Sequence, residues 1–94
     1  MLRYLVVIEK GLNSRGIETF SAFSPDVPGC FATGKTREEV EQRMQGALQS
    51  HIEWMLEDND PLTQPHASPD DPDIAGDPSL TPIYMDIPIP HRTA

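Results

Sequence analysis

The longest regular pattern in the chain runs from Val40 to Leu56. Apolar residues fall at Val40, Met44, Ala47, Leu48, Ile52, Met55 and Leu56. These offsets make one continuous stripe at helical period. Glu38, Glu41, Gln42, Gln45, Gln49 and Glu53 take the opposite face. The spacing predicts an amphipathic helix from Thr36 to about Glu57 or Asp58, ended by Asn59-Asp60-Pro61. Ahead of it, Leu2 to Glu9 is dense in β-branched and aromatic types and predicts a strand buried on parts of both faces. Lys10 to Gly16 has the glycines and small polar residues of a hairpin loop, and Ile17 to Phe23 predicts a second strand antiparallel to the first. Near the end, Ile83, Met85, Ile87 and Ile89 alternate with Tyr84, Asp86 and Pro88. Period two over seven residues predicts a half-buried strand across 83–89, and Pro88 and Pro90 confine it to a sheet edge or require that the proline positions point away from the ladder.

The strands and the helix are joined by Ser24-Pro25-Asp26-Val27-Pro28-Gly29-Cys30-Phe31-Ala32-Thr33-Gly34-Lys35-Thr36-Arg37-Glu38-Glu39. Pro25 and Pro28 fix their own φ and push Ser24 and Val27 toward extended geometry. Gly29 and Gly34 permit backbone angles that a side chain penalises. Cys30 to Thr33 predicts a short third strand. Thr36 followed by Glu39 predicts a capping box at the helix start.

The resulting order is β-β-β-α, a long loop, then β. It predicts an α+β two-layer sandwich, an antiparallel sheet with one helix packed on a face. A chain of 94 residues is expected to be one domain over 1–94, with a 1–58 core, an acidic proline-rich loop over 59–82 and the final strand over 83–89. Few residues of that loop are expected to be buried.

Charge changes the picture. The chain carries a formal −8. Residues 1–56 hold seven acids and six bases, while 57–94 hold eight acids and only Arg92, with eight of the ten prolines. Such a chain is a poor bare binder of nucleic acid or anionic membrane and suits a basic protein partner. Cys30 is the single cysteine, so no intramolecular disulfide is possible. The apolar run Leu5 to Ile8 is too short for a membrane span or a leader core, so a soluble cytoplasmic protein is expected.

The ordered set of Ile8-Glu9-Lys10, Pro25 to Cys30, Ala32-Thr33-Gly34, Thr36 to Val40, Ala47 to Glu53 and a proline-punctuated loop before a strand resembles the HicB-like antitoxin family over about residues 1–90. The resemblance implies a partial RNase H-like fold with this element order. It also implies a non-enzymatic protein that neutralises a small, basic, HicA-type toxin that cleaves messenger RNA. Many members carry a C-terminal DNA-binding domain. Only His91-Arg92-Thr93-Ala94 follows Pro90 here, so direct DNA contact is not expected. The glycine common after the family's helix is replaced by Asp58-Asn59-Asp60, and Asp70 to Asp77 looks like an insertion.

Candidate sites follow from these readings. Partner binding is expected at Asp70, Asp71, Asp73 and Asp77, which would draw in a basic toxin and mimic RNA phosphate, and at Trp54, Tyr84 and Asp86. Trp54 lies off the apolar stripe, where an exposed indole suits an interface. Pro25, Pro28, Gly29, Gly34, Thr36 and Glu39 are expected to be structural. Asp70-Asp71-Pro72-Asp73 lacks the ligand spacing and closing Glu of a calcium loop and reads as a solvated turn. Cys30 has no adjacent base and reads as a structural residue. His51, His66 and His91 have no zinc-site spacing, and His51 reads as a cover for the core edge. No cofactor or metal is expected. Two alternatives stand beside the antitoxin. One is a homo-oligomeric module pairing through the first or last strand, with Ile83 and Ile87 at the contact. The other is a nuclease using Glu9, Glu18 and Asp86.

Overall fold

The computed structural model describes residues 2–89. Its elements are β1 (Leu2–Leu12), β2 (Glu18–Phe23), β3 (Phe31–Gly34), α1 (Arg37–Glu57), α2 (Pro72–Ala75) and β4 (Leu80–Ile87). The four strands form an antiparallel sheet in the order β3-β2-β1-β4. The α+β sandwich read from the sequence is therefore the observed fold. The first strand is longer than its apolar run, because Lys10, Gly11 and Leu12 continue the hairpin pairing with Phe20, Thr19 and Glu18. The last strand begins earlier than its alternation, at Leu80, and takes Pro82 into the ladder opposite Val7.

β1 lies inside the sheet and is buried on both faces from Tyr4 to Ile8. One face supplies Tyr4, Val6 and Ile8. They pack with Ala22, Val27, Ala32 and Ile87 under the α1 stripe of Val40, Met44, Leu48 and Ile52. The other face supplies Leu5 and Val7, which pack against Ile74, Ala67 and Leu80. Few residues of 60–82 are buried, as expected, and the one that is, Ile74, is 6% exposed. Asp71 caps α2 by accepting the Asp73 amide at 3.0 Å, and Pro72 opens it. One turn of helix is thus pinned over a second, smaller core.

Residues 60–79 act as a strap held at three places. The Tyr4 hydroxyl donates to the Thr63 carbonyl. The Asp26 carboxylate accepts the His66 and Ala67 amides at 3.1 Å. Ile74 then closes over Leu5 and Val7. The Asp26 side chain is 2% exposed and also lies 3.2 Å from His66 Nδ1. A buried carboxylate needs such donors, and the strap backbone supplies them.

Both ends of α1 have chemical causes. The Thr36 hydroxyl accepts the Glu39 amide at 3.1 Å. The second half of the expected capping box is diverted, because the Glu39 carboxylate pairs with Arg43 at 2.8 Å. At the other end Asn59 adopts φ +56°. Its amide donates to Leu56 and that of Asp60 to Met55, at 3.2 and 2.9 Å. This is a Schellman ending in which asparagine does what glycine usually does. Gly29 sits at φ +94° in the β2–β3 turn. Gly34 is different: a Cβ there would lie 2.9 Å from the Val40 amide nitrogen, so the site demands a small residue where β3 meets α1.

Candidate partner-binding surface

The seven residues expected to meet a partner fall in three separate places. Asp70, Asp71, Asp73 and Asp77 surround α2 on the sheet face opposite α1. Two of these carboxylates are engaged locally. Asp71 caps α2, and Asp77 accepts the Ser79 amide and hydroxyl at 2.9 and 2.7 Å. Those Ser79 bonds, the hydroxyl first, hold the Asp77 carboxyl below the usual range. Asp70 and Asp73 are exposed on the same turn.

Tyr84 and Asp86 lie on β4, which forms one edge of the sheet among the described residues. Asp86 stands opposite Arg3 and pairs with it at 2.8 Å. The hydrogen bond from Arg3 holds the Asp86 carboxyl low, and the reciprocal contact pushes the Arg3 guanidinium up. Between β4 and α1 lies an open groove of about 440 Å³, lined by Ile83, Tyr84, Met85 and Asp86 on the strand and Glu38, Glu41, Gln42 and Gln45 on the helix. The polar face of α1 was legible as a face, but its position beside β4 was not. Ile83 and Met85 point into the core under α1, and Ile87 is fully buried. Ile83 and Ile87 are therefore core residues rather than contact residues, and the first strand is internal rather than an edge.

Trp54 is 66% exposed near the C-terminal end of α1. It shares a second groove with Pro28, Gly29, Cys30, Phe31, Ala47, Ser50 and His51. Phe31 is 71% exposed on β3 and stands opposite Phe23. An aromatic cross-strand pair thus faces solvent. Alternation along 30–34 does not reveal this, because the sheet face carrying Phe31 is set by the register. The Cys30 Sγ lies 3.8 Å from the Ala47 carbonyl, and burial pushes the thiol up, away from a reactive thiolate. His51 is half-buried with Nε2 3.4 Å from the Thr63 hydroxyl, at the core edge as expected. His91 lies outside the described residues.

Glu9 and Glu18 sit on opposite faces of the β1–β2 hairpin by register, and Glu18 pairs with Lys10 at 3.1 Å. Asp86 is at the far end of β4 from Leu80, the partner of Glu9. The three carboxylates named for a nuclease do not converge. Among the described residues no three His, Cys, Asp or Glu side chains stand close enough to hold a metal ion. No described helix is long and apolar enough to cross a membrane.

With the geometry in place, comparison with known proteins decides the family. The family model described as the HicB-like antitoxin of the bacterial toxin–antitoxin system matches residues 4–76. The chain belongs to the HicB-like antitoxin family. The fold is similar to the crystal structure of the N-terminal domain of Burkholderia pseudomallei antitoxin HicB. The TM-score is 0.76 at 16% identity, covering 93% of this chain and 99% of that one. It is also similar to a chain of a HicA3–HicB3 toxin–antitoxin complex, at TM-score 0.66 and 25% identity over 93% of this chain and 99% of that one. A curated relative, an uncharacterized 14.9 kDa protein from the rep–hol intergenic region of Haemophilus phage HP1, is 50% identical over 38 residues. That match covers 40% of this HicB-like chain and only 29% of the phage protein. The family match runs through β2, β3, α1 and α2 and ends at residue 76, so the acidic turn around Asp70–Asp73 lies inside the matched region while Asp77 and β4 lie outside it.

Proposed function

We propose that this HicB-like chain neutralises a small, basic, HicA-type ribonuclease by binding it, with no catalysis of its own. The observation that carries the reading is the placement of acids around exposed contact surface in a chain of antitoxin family. Glu38, Glu41 and Asp86 line the groove between α1 and β4, and Asp70 and Asp73 stand exposed on the strap. A basic partner is drawn to such a surface, and repulsion from nucleic acid keeps the same surface free of competitors. The similarity to the chain of a HicA3–HicB3 complex supports a toxin partner. The test is co-expression with the product of the adjacent small open reading frame. A stable complex and relief of growth arrest are expected. Recovery of neither would refute the reading.

A second reading, a homo-oligomer, is favoured by one observation, the solvent-facing Phe23–Phe31 pair with Trp54 nearby. Aromatic residues so exposed are common at the centres of interfaces. Light scattering on the purified chain tests it, and Phe31→Ser dissociates the oligomer if this surface holds it together.

A further inference from the structure

The hydrogen-bond phase of β4 gives its free edge a specific shape. The Lys10 amide donates to the Ser79 carbonyl, immediately ahead of the Glu9–Leu80 pair. In an antiparallel ladder, pairs that exchange hydrogen bonds alternate with pairs whose amides and carbonyls point away. The pairs Ile8–Thr81, Val6–Ile83, Tyr4–Met85 and Leu2–Ile87 therefore bond inward. Pro82, Tyr84 and Asp86, opposite Val7, Leu5 and Arg3, turn their backbone groups outward, and Pro88, just past the strand, has no amide N–H to offer. Prolines at 82 and 88 remove the outward donors at both ends. What remains is a window of two residues, Tyr84 and Asp86, each with a free amide and carbonyl.

We infer that this window docks a short extended segment of a basic partner, which adds to β4 as a fifth strand. The inference rests on the toxin-binding reading and specifies its geometry. Two further features select the occupant. Side chains of an added strand alternate between the two sheet faces. Those on the α1 side enter the groove lined by Glu38, Glu41, Gln42 and Gln45, where Lys or Arg finds carboxylates and amides. Glu41 is partly neutralised by Arg37 at 3.8 Å, leaving Glu38 as the α1 acid of the groove with no ion pair among the described residues. Those on the other side meet Tyr84, which is 53% exposed, and the Arg3–Asp86 pair. A second copy of this chain is the poorer occupant, because two-fold pairing of β4 with itself would bring the Glu38, Glu41 and Asp86 sets together. The bracketing prolines also limit open-ended strand addition, which a long bare edge would invite.

Hydrogen exchange on the wild-type chain, alone and with the adjacent-frame toxin carrying an inactivating substitution, tests this directly. In the free chain the Ile83, Met85 and Ile87 amides should exchange slowly and those of Tyr84 and Asp86 fast. On complex formation Tyr84 and Asp86 should gain protection of at least about tenfold. Tyr84→Pro, which deletes an outward donor and spares the β1 ladder, should weaken toxin binding by about tenfold or more, and Tyr84→Phe should not. Failure of the wild-type chain to bind the toxin overturns the toxin-binding reading, and this inference with it. Binding without new protection at Tyr84 and Asp86 overturns the docking mode alone. Concentration-dependent protection of the two amides in the chain by itself assigns the edge to a second copy and overturns the basic partner as occupant. Should Tyr84→Pro not fold, the exchange experiment on wild type decides by itself.

Discussion

The strap over the second core depends on one carboxylate, so Asp26→Ala is an informative perturbation. Asp26 accepts the His66 and Ala67 amides at 3.1 Å from a side chain that is 2% exposed. A hydrogen bond to a charged acceptor is worth about 1.5–3 kcal/mol. Two such bonds do not add fully, and the variant is relieved of burying a charge. The freed amides also regain water, since His66 is exposed and Ala67 half-buried. The net loss should be about 2–3 kcal/mol. For a domain of this size that lowers Tm by roughly 10–20 °C. The loss should also be local, because the strap carries its own small cluster of Ile74 and Ala67 on Leu5, Val7 and Leu80. Ile74→Ala in the wild-type background should cost about 2 kcal/mol, near the low end for a buried isoleucine, because the cluster is small. If Asp26 clasps the strap, Ile74→Ala should cost much less in the Asp26→Ala background, since Ile74 is then already released. Thermal melts by circular dichroism on the four chains measure this coupling. Thermolysin digestion followed by mass spectrometry locates it, with cutting near Ile74 expected to accelerate in Asp26→Ala. Full additivity of the two substitutions, with unchanged cutting near Ile74, would refute the clasp.

Three further outcomes follow from the geometry. Gly34→Ala places a Cβ 2.9 Å from the Val40 amide nitrogen and should cost about 1–3 kcal/mol by chemical denaturation, because the neighbour is backbone at the start of α1. Asn59→Gly should raise stability by up to about 1 kcal/mol, since glycine holds φ +56° without the penalty of a side chain; a fall in Tm would mean that the asparagine side chain contributes to the helix ending. Asp86 has its folded-state pKa lowered by Arg3, so the stabilisation from this pair is present above the unfolded carboxylate value of about 3.9 and is lost as pH falls through the folded value. Carboxyl titration by NMR should find Asp86 below that reference, and Arg3→Gln should return it toward normal.

Much of the fold was legible because local chemistry and tertiary packing agree in most elements. The Val40–Leu56 stripe specified α1, and the alternation of Ile83, Met85 and Ile87 gave β4 its core face. The prolines around β4 allowed an edge or positions turned away from the ladder, and the sheet order makes it an edge. The candidate surface was legible only in pieces. Sequence order puts Glu38 and Glu41 more than forty positions from Tyr84 and Asp86, yet the sheet order β3-β2-β1-β4 sets the last strand beside the helix. Asp26 gave no signal beyond that of a turn residue, because its partners are backbone amides forty positions away and a backbone donor has no letter of its own. Ile74 did leave a trace in the Asp71-Pro72 start signal, but four residues are too few for periodicity to show.

The sequence by itself determined the four strands, the long helix and its start, since each follows from residue spacing or local backbone chemistry, and an ordered set of its segments resembled the family. The tertiary structure alone decided which strands are neighbours, that β1 is buried on both faces, that the proline-rich segment is a strap with its own core, and which acids share a groove. These are long-range pairings. They depend on register and on chain crossings between distant segments, which spacing along the chain does not encode.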